Sequence, residues 1–122
     1  MSIRVQTSNS KPIYEQIYDQ LKKLIIKGDY APQQQLPSIR SMAKEVEVSV
    51  ITIKKAYEDL ERDGYIYSIP SKGYYVLQQD KGALKEYYLK QIDDHLYAIK
   101  SLAENFDFDN KQLLDYIDKK LQ

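Results

Sequence analysis

The chain has 122 residues, and its 18 Lys and Arg residues balance 18 Asp and Glu residues, so the formal net charge at pH 7 is zero. This balance argues against a protein that coats nucleic acid by bulk attraction, and any such function requires a local basic patch. The absence of Cys excludes a disulfide framework, a thiol nucleophile and cysteine ligands for zinc.

The hydropathy pattern predicts a soluble, intracellular protein with no membrane association, and the absence of Cys fits a reducing cytoplasm. No run of eighteen apolar residues occurs, and the polar start at residues 1–7 lacks the apolar stretch of a signal peptide. A chain of this length buries only about two-thirds of its unfolded surface, so a partner subunit would help to stabilise it.

Three helical patterns follow one another in the first half of the chain. Apolar residues recur at steps of three and four after Pro12, after Ser38 and again after Ser49, and the two serines are suitable N-caps. Gly28 ends the first pattern, and Gly64 ends the third. The second and third patterns are short and closely spaced, which is typical of a helix-turn-helix.

A β-hairpin, or wing, is predicted after the third helix. Residues 65–68 and 74–77 are rich in tyrosine and β-branched side chains, and they flank a turn at residues 69–73 that contains Pro and Gly. Residues 29–35, which contain three Gln, are interpreted as an irregular connection between the first and second helices. Residues 1–77 are therefore predicted to form a winged helix-turn-helix domain.

A helical tail at residues 83–122 follows a polar linker at residues 78–82. It carries a long helix and a short one, the latter opened by a capping-box pattern at Asp109 and Gln112. One subunit offers no other large surface to cover the apolar stripe of the tail, so pairing of two tails predicts a homodimer. The predicted interface consists of Leu84, Tyr88, Ile92, His95, Ile99, Leu102, Leu113 and Ile117. The predicted fold class is mainly α with a small β-hairpin.

Several separate motifs carry a resemblance to a known family. They are Pro12-Ile13-Tyr14-Glu15-Gln16-Ile17, Leu36-Pro37-Ser38-Ile39-Arg40-Ser41-Met42-Ala43, Val48-Ser49, residues 52–66 and Gly73-Tyr74-Tyr75-Val76. Their order resembles that of the GntR family of bacterial transcriptional regulators, and the two-helix tail resembles its small YtrA-like branch. The resemblance implies a dimeric repressor that binds double-stranded, palindromic operator DNA.

The third helix is the candidate recognition helix, because a helix fits the major groove and its N-terminal positions meet base edges. Ile53 must face inward, so Val50 and Lys54 share an outward face. Lys54 is expected to contact a base or a phosphate, and Lys55 a phosphate. The candidate DNA-binding residues of this helix are Ser49, Val50, Ile51, Thr52, Lys54 and Lys55.

The resemblance implies further DNA contacts outside the recognition helix. Arg40 would contact DNA, and Ser38 is expected to cap its helix and to meet a phosphate. The wing tip, formed by Ser71, Lys72 and Gly73, would approach the minor groove, where glycine permits close approach of the backbone and lysine supplies charge.

Two positions depart from the family pattern. The family usually has arginine directly after the N-cap residue, where this chain has Val50 followed by Ile51, and Ser71 replaces the first glycine of the wing. We hypothesise that Val50 and Ile51 contact thymine methyl groups instead of guanine, which predicts an A·T-rich operator.

Other functions are weighed against DNA binding. A winged-helix protein-interaction module would use Val50 and Ile51 against a protein partner, but the basic side chains of Arg40 and Lys54 argue against it. The sequence shows neither a catalytic set nor a phosphate cradle, so we expect no enzyme, cofactor or metal. His95 is interpreted as an interface residue, with a pH-sensitive dimer as an alternative. Whether a small-molecule effector exists is open, since the tail is too small to enclose a typical metabolite.

Overall fold

The computed structural model describes residues 3–122, so residues 1 and 2 of the first predicted domain lie outside the described residues. The chain divides into two compact units, of which the first ends at Gln79 and the second extends from Asp80 to Gln122. The described residues confirm the predicted fold class, with five helices and one two-stranded antiparallel sheet. The elements are α1 (Ile13–Lys27), α2 (Ile39–Val46), α3 (Val50–Arg62), β1 (Ile66–Ile69), β2 (Gly73–Val76), α4 (Lys81–Asn105) and α5 (Asn110–Leu121).

The helices of the first unit begin and end at the residues that the sequence predicts. Ser38 Oγ accepts the backbone N–H of Ser41 at 3.0 Å, and Ser49 Oγ accepts that of Thr52 at 3.1 Å. These bonds satisfy amides that have no partner within the helix. Gly28 ends α1 with a φ of 85°, a left-handed conformation that costs glycine little.

The core of the first unit lies where α1, α2 and α3 converge and where the sheet covers them. Tyr57 of α3 is fully buried in this core, and its hydroxyl donates to the carbonyl oxygen of Pro37 at 2.7 Å. Burial raises the pKa of Tyr57 well above its usual range, which keeps the phenol protonated as a donor. Other fully buried apolar residues are Ile17, Leu21, Ile53, Ala56 and Leu60.

A third strand-like segment extends the wing. Gln33 N–H donates to Val76 O at 2.7 Å, Val76 N–H donates to Gln34 O at 2.9 Å, and Leu36 N–H donates to Tyr74 O at 2.9 Å. These bonds pair the connection between α1 and α2 with β2, although the sequence favours an irregular segment there. The segment has no alternation of apolar and polar residues that would indicate a strand.

Two glutamine side chains of α1 hold the segment that precedes the helix. Gln16 accepts the N–H of Gln6 at 2.8 Å and donates back to the Gln6 carbonyl at 3.0 Å. Gln20 exchanges the same pair of bonds with the backbone of Arg4. The two pairs of bonds fit because Gln16 and Gln20 are four helical residues apart and Arg4 and Gln6 are two extended residues apart, and both spacings amount to about 6 to 7 Å.

We expect Gln16→Ala to lower the free energy of unfolding by about 1 to 3 kcal/mol, because Gln16 is buried and its amide also donates to Lys11 O. Urea denaturation measures this change. Gln20→Ala is the matched control and is expected to cost less, because water can replace its exposed bonds with Arg4. Equal losses in the two variants would contradict a special role for Gln16.

The second unit consists of α4 and α5. Asp80 Oδ1 accepts the N–H of Ala83 at 3.1 Å, so α4 begins at Lys81. The predicted linker at residues 78–82 therefore extends too far, because Asp80 caps α4 and residues 81 and 82 already belong to the helix. The capping box that opens α5 is confirmed, with reciprocal bonds of 2.8 and 3.0 Å between Asp109 and Gln112. No helix within residues 3–122 is long and apolar enough to cross a membrane.

Candidate functional site

The first turn of α3 has an exposed face, and its opposite face is buried in the core of the first unit. Val50 and Ile51 are 49% and 79% exposed, whereas Ile53 is fully buried. Ser49 Oγ caps the helix and also lies 2.7 Å from Thr52 Oγ1. The core therefore fixes the helix while its N-terminal end stays accessible.

The neighbouring lysines Lys54 and Lys55 differ in their surroundings. Lys54 is exposed, and its Nζ lies 3.9 Å from Glu58 Oε1, which is a weak surface pair. Lys55 Nζ lies 3.2 Å from Asp59 Oδ1 and 5.6 Å from the centre of the Tyr14 ring on α1. Lys54 is therefore the freer cation, while a phosphate contact by Lys55 would compete with these two interactions.

Asp59 is an acidic residue that the sequence interpretation missed. It is 9% exposed and accepts from Arg62 Nη1 at 2.9 Å as well as from Lys55. A buried carboxylate needs such partners, because an unpaired charge away from water is costly. Helical spacing places Lys55 and Arg62 within reach of it, but the sequence does not indicate that Asp59 is buried.

A second acidic residue connects the end of α3 to α1. Arg62 donates to Asp63, and the Tyr18 hydroxyl donates to Asp63 Oδ2 at 2.5 Å. The hydrogen bond from Arg62 has the largest effect on Asp63, and together with the bond from Tyr18 it holds the pKa of Asp63 below its usual range. Burial, and then the bond to Asp63, raise the pKa of Tyr18. The pair stabilises the packing of α1 on α3.

Arg40 lies exposed in the first turn of α2. Within residues 3–122 its guanidinium makes no hydrogen bond or ion pair, and the acidic residues Glu15, Asp19 and Glu45 do not pair with it. Asp19 instead binds Lys11 at 2.7 Å. Arg40 is therefore available to a ligand.

The wing tip adopts a tight turn between β1 and β2. Ser71 has a φ of 63° and Gly73 a φ of 122°, both in the region that favours glycine. Lys72 is exposed, and its carbonyl accepts from Gln35 Nε2 at 2.8 Å. A Cβ at Gly73 would lie 3.1 Å from Gln35 Nε2, so glycine permits this close approach. The sequence interpretation missed Gln35 because nothing in the connection indicates that it reaches the wing.

The predicted DNA-binding residues all lie in the first unit. Thr52 and Gly73 are half-buried. The others are exposed: Ser38, Arg40, Ser49, Val50, Ile51, Lys54, Lys55, Ser71 and Lys72. Among residues 3–122 no cluster of three or more His, Asp or Glu residues is suited to hold a metal ion.

The predicted interface residues of the tail fall into two groups. Ile92, His95 and Leu102 are exposed, and the half-buried ones are Leu84, Tyr88, Ile99, Leu113 and Ile117. A groove of about 490 Å³ lies between the end of α4 and α5. It is lined by Ile99, Leu102, Ala103, Phe108, Leu113, Tyr116 and Ile117. Leu89 and Leu96 are also exposed and were not predicted. Together with Ile92 and Ile99 they follow the three-four spacing of a coiled-coil seam.

Comparison with known proteins assigns these features to a family. Residues 13–76 match the model of bacterial regulatory proteins of the gntR family. The chain is 37% identical over 94 residues to the HTH-type transcriptional repressor YtrA of Bacillus subtilis, an alignment that covers 77% of this chain and 72% of YtrA. Several other relatives are longer proteins, of which the chain spans only 14% to 27%.

Solved structures show similar folds. A GntR family transcriptional regulator from Listeria monocytogenes is 27% identical, with a TM-score of 0.72 over 92% of this chain and 97% of that one. AraR(DBD) in complex with operator ORX1 is 31% identical, with a TM-score of 0.55 over 59% of this chain and 90% of that one. The first similarity includes the tail, since it extends over nearly the whole chain.

Proposed function

The chain belongs to the gntR family of bacterial regulatory proteins, and from this premise we propose that it is a sequence-specific, DNA-binding transcriptional repressor. The observation that carries the proposal is the N-terminal end of α3, where Val50, Ile51 and Lys54 are exposed while Ile53 is buried. A helix held in this way enters the major groove with its N-terminal residues against the base edges.

Arg40 and Lys72 supply phosphate contacts in this proposal. Both side chains are exposed and make no ion pair within residues 3–122, so no existing pair has to break before they bind phosphate. Gln35 acts on the wing as a positioning residue through its bond to the Lys72 carbonyl. The operator bound by the structural relative AraR(DBD) supports duplex DNA as the ligand.

We further propose that the protein is a homodimer paired through the tail. The support is an apolar surface with no cover in the second unit, including Ile92 at 50% and Leu102 at 69% exposure. A second copy fits this surface because the seam at Leu89, Ile92, Leu96 and Ile99 has the spacing by which two helices pair. A standard interface buries about 800 Å² per partner, and at about 25 cal/mol per Å² such an area is sufficient to hold a dimer.

Two-fold symmetry would then determine the form of the operator. Two recognition helices related by a dyad read the same sequence on opposite strands, so the operator would be palindromic. The half-sites would lie about one helical turn, or a multiple of it, apart. Occupation of promoter DNA by such a dimer would block transcription.

A fluorescence titration of the protein against its own promoter DNA, at two salt concentrations, tests the proposal. Two cations per subunit, Arg40 and Lys72, give four phosphate contacts in a dimer if each meets one, so affinity should fall about a hundredfold between about 50 and 200 mM salt. The exposed apolar pair Val50 and Ile51 favours a protein-interaction module as the second candidate. Such a module would show no saturable binding to promoter DNA and no steep dependence on salt.

Lys54→Ala and Lys72→Ala should weaken DNA binding in different ways. Loss of Lys54 is expected to cost about 1 to 3 kcal/mol and to relax the choice of base at one position. Loss of Lys72 should weaken all sequences about equally, because a phosphate contact carries no sequence information, and it should lower the salt slope by about 2, about one for each subunit of the dimer. Titration against a set of single-base operator variants measures both effects, and the opposite pattern would overturn these roles.

A further inference from the structure

The first turn of α3 offers apolar groups, rather than polar ones, to a ligand. The hydroxyls of Ser49 and Thr52 lie 2.7 Å apart, and Ser49 Oγ also accepts the N–H of Thr52, so both are held in the helix cap. Val50 and Ile51 are 49% and 79% exposed and do not belong to the core of the first unit. The surface that faces a ligand is therefore formed by two branched apolar side chains.

Only one kind of chemical group on the major-groove base edges fits such a surface. The other recognition groups there are hydrogen-bond donors and acceptors, which would lose water against Val50 or Ile51 without gaining a partner. The C5-methyl group of thymine is apolar, and 5-methylcytosine carries a methyl group on the same ring carbon. Contact with this methyl group distinguishes bases without using their hydrogen-bonding pattern.

We propose that Val50 and Ile51 form a reading surface for the C5-methyl group of pyrimidines. The protein then prefers thymine to uracil, and 5-methylcytosine to cytosine, at the contacted positions. This inference rests on the proposed function, since it requires α3 to lie in the major groove. It names the chemical group that α3 reads, and it adds a response to cytosine methylation. Lys54, one turn further along, contributes charge but no discrimination between methylated and unmethylated bases.

The experiment uses the full chain and a duplex enriched by selection from a randomised pool. Each thymine of a half-site is replaced singly by uracil, which removes the methyl group and keeps the hydrogen-bonding edge. We expect affinity to fall about fourfold at one or two positions, the effect of burying one methyl group. At the same positions, a duplex with 5-methylcytosine paired to guanine should bind about fourfold more tightly than one with cytosine. Fluorescence anisotropy compares the duplexes that carry thymine, uracil, cytosine and 5-methylcytosine at each position.

Variants of the protein separate direct contact from a change in DNA shape. In a Val50→Ala, Ile51→Ala double variant the thymine-to-uracil ratio should approach one, and both substitutions lie at exposed positions, so folding should persist by circular dichroism. Lys54→Ala is the matched control, and it should bind more weakly with the ratio unchanged.

Each contrary result has a distinct meaning. If a duplex is enriched but no uracil substitution changes its affinity, the reading surface is overturned while the proposed DNA binding stands. An unchanged ratio in the double variant has the same consequence, because the methyl effect would then arise from the DNA. If the selection enriches no duplex at all, the proposed function is overturned and this inference with it. A protein-interaction module, in which Val50 and Ile51 bind a protein partner, would also give that result.

Discussion

Replacement of Ile92 and Ile99 together by Asp is expected to convert the proposed dimer into monomers. Ile92 is half-exposed, and Ile99 lines the groove between α4 and α5. Carboxylates brought into an apolar contact lose their hydration without gaining a partner, which costs several kcal/mol per charge. Light scattering coupled to a sizing column would show the halved mass. Operator affinity should also fall, by about a hundredfold or more, because the two half-sites are no longer bound by one linked molecule.

The control is designed to separate lost pairing from lost folding. Ser101→Asp adds a single negative charge, as Ile92→Asp alone does, at an exposed position of α4 and should leave the dimer intact. Ile92→Asp alone alters a residue that is already half-exposed, so the helix should form while pairing weakens. A double variant that retains its helical content and still has the mass of two chains would remove this face of the tail from the interface.

Truncation of Tyr57 to alanine is expected to lower the free energy of unfolding of the first unit by about 3 to 5 kcal/mol. Tyr57 is fully buried, its ring packs edge-on against Tyr74 with centroids 5.2 Å apart, and its hydroxyl holds the Pro37 carbonyl. The substitution removes all three interactions and leaves a cavity between α3 and the start of α2. Because small domains are marginally stable, a loss of this size would unfold much of the protein near its working temperature.

Tyr57→Phe separates the hydrogen bond from the packing. It keeps the ring and leaves Pro37 O without its donor, so the expected loss is about 1 to 3 kcal/mol. Tyr97→Ala is the surface control, because Tyr97 is 80% exposed, and we expect a change within about 0.5 kcal/mol. Urea denaturation followed by circular dichroism measures all three variants. A Tyr57→Ala protein as stable as the Tyr97→Ala protein would contradict this account of the core.

Local signals in the sequence predict most of the fold. Ser38 and Ser49 cap their helices because a short side-chain oxygen satisfies free backbone amides, and this depends on only a few neighbouring residues. Gly28 ends α1 for an equally local reason. The exposure of Val50 and Ile51 follows from the helical period, since Ile53, Ala56, Tyr57 and Leu60 fill the inward positions of α3.

Features that depend on residues distant in the sequence were not predicted. The pairing of Gln33 and Gln34 with β2 uses backbone groups, which every residue has, so side-chain identity carries no signal for it. From its position on the helix alone, Lys55 is predicted to contact a phosphate. Its contact with the Tyr14 ring depends on the packing of α1 against α3, which the sequence does not indicate. The early start of α4 was missed for a different reason: the Asp80 cap is local, since it accepts the N–H of Ala83, but its polar neighbours resemble a linker.

The paired connection between α1 and α2 restricts how this protein can vary in length. Surface connections usually accept inserted or deleted residues, because their ends are the only parts that must stay in place. Here Gln35 reaches the wing tip while Ser38, three positions later, starts α2. One added residue would shift the ladder by one step and turn every side chain of the segment to its other face. Insertions in this stretch should therefore be rare among functional relatives.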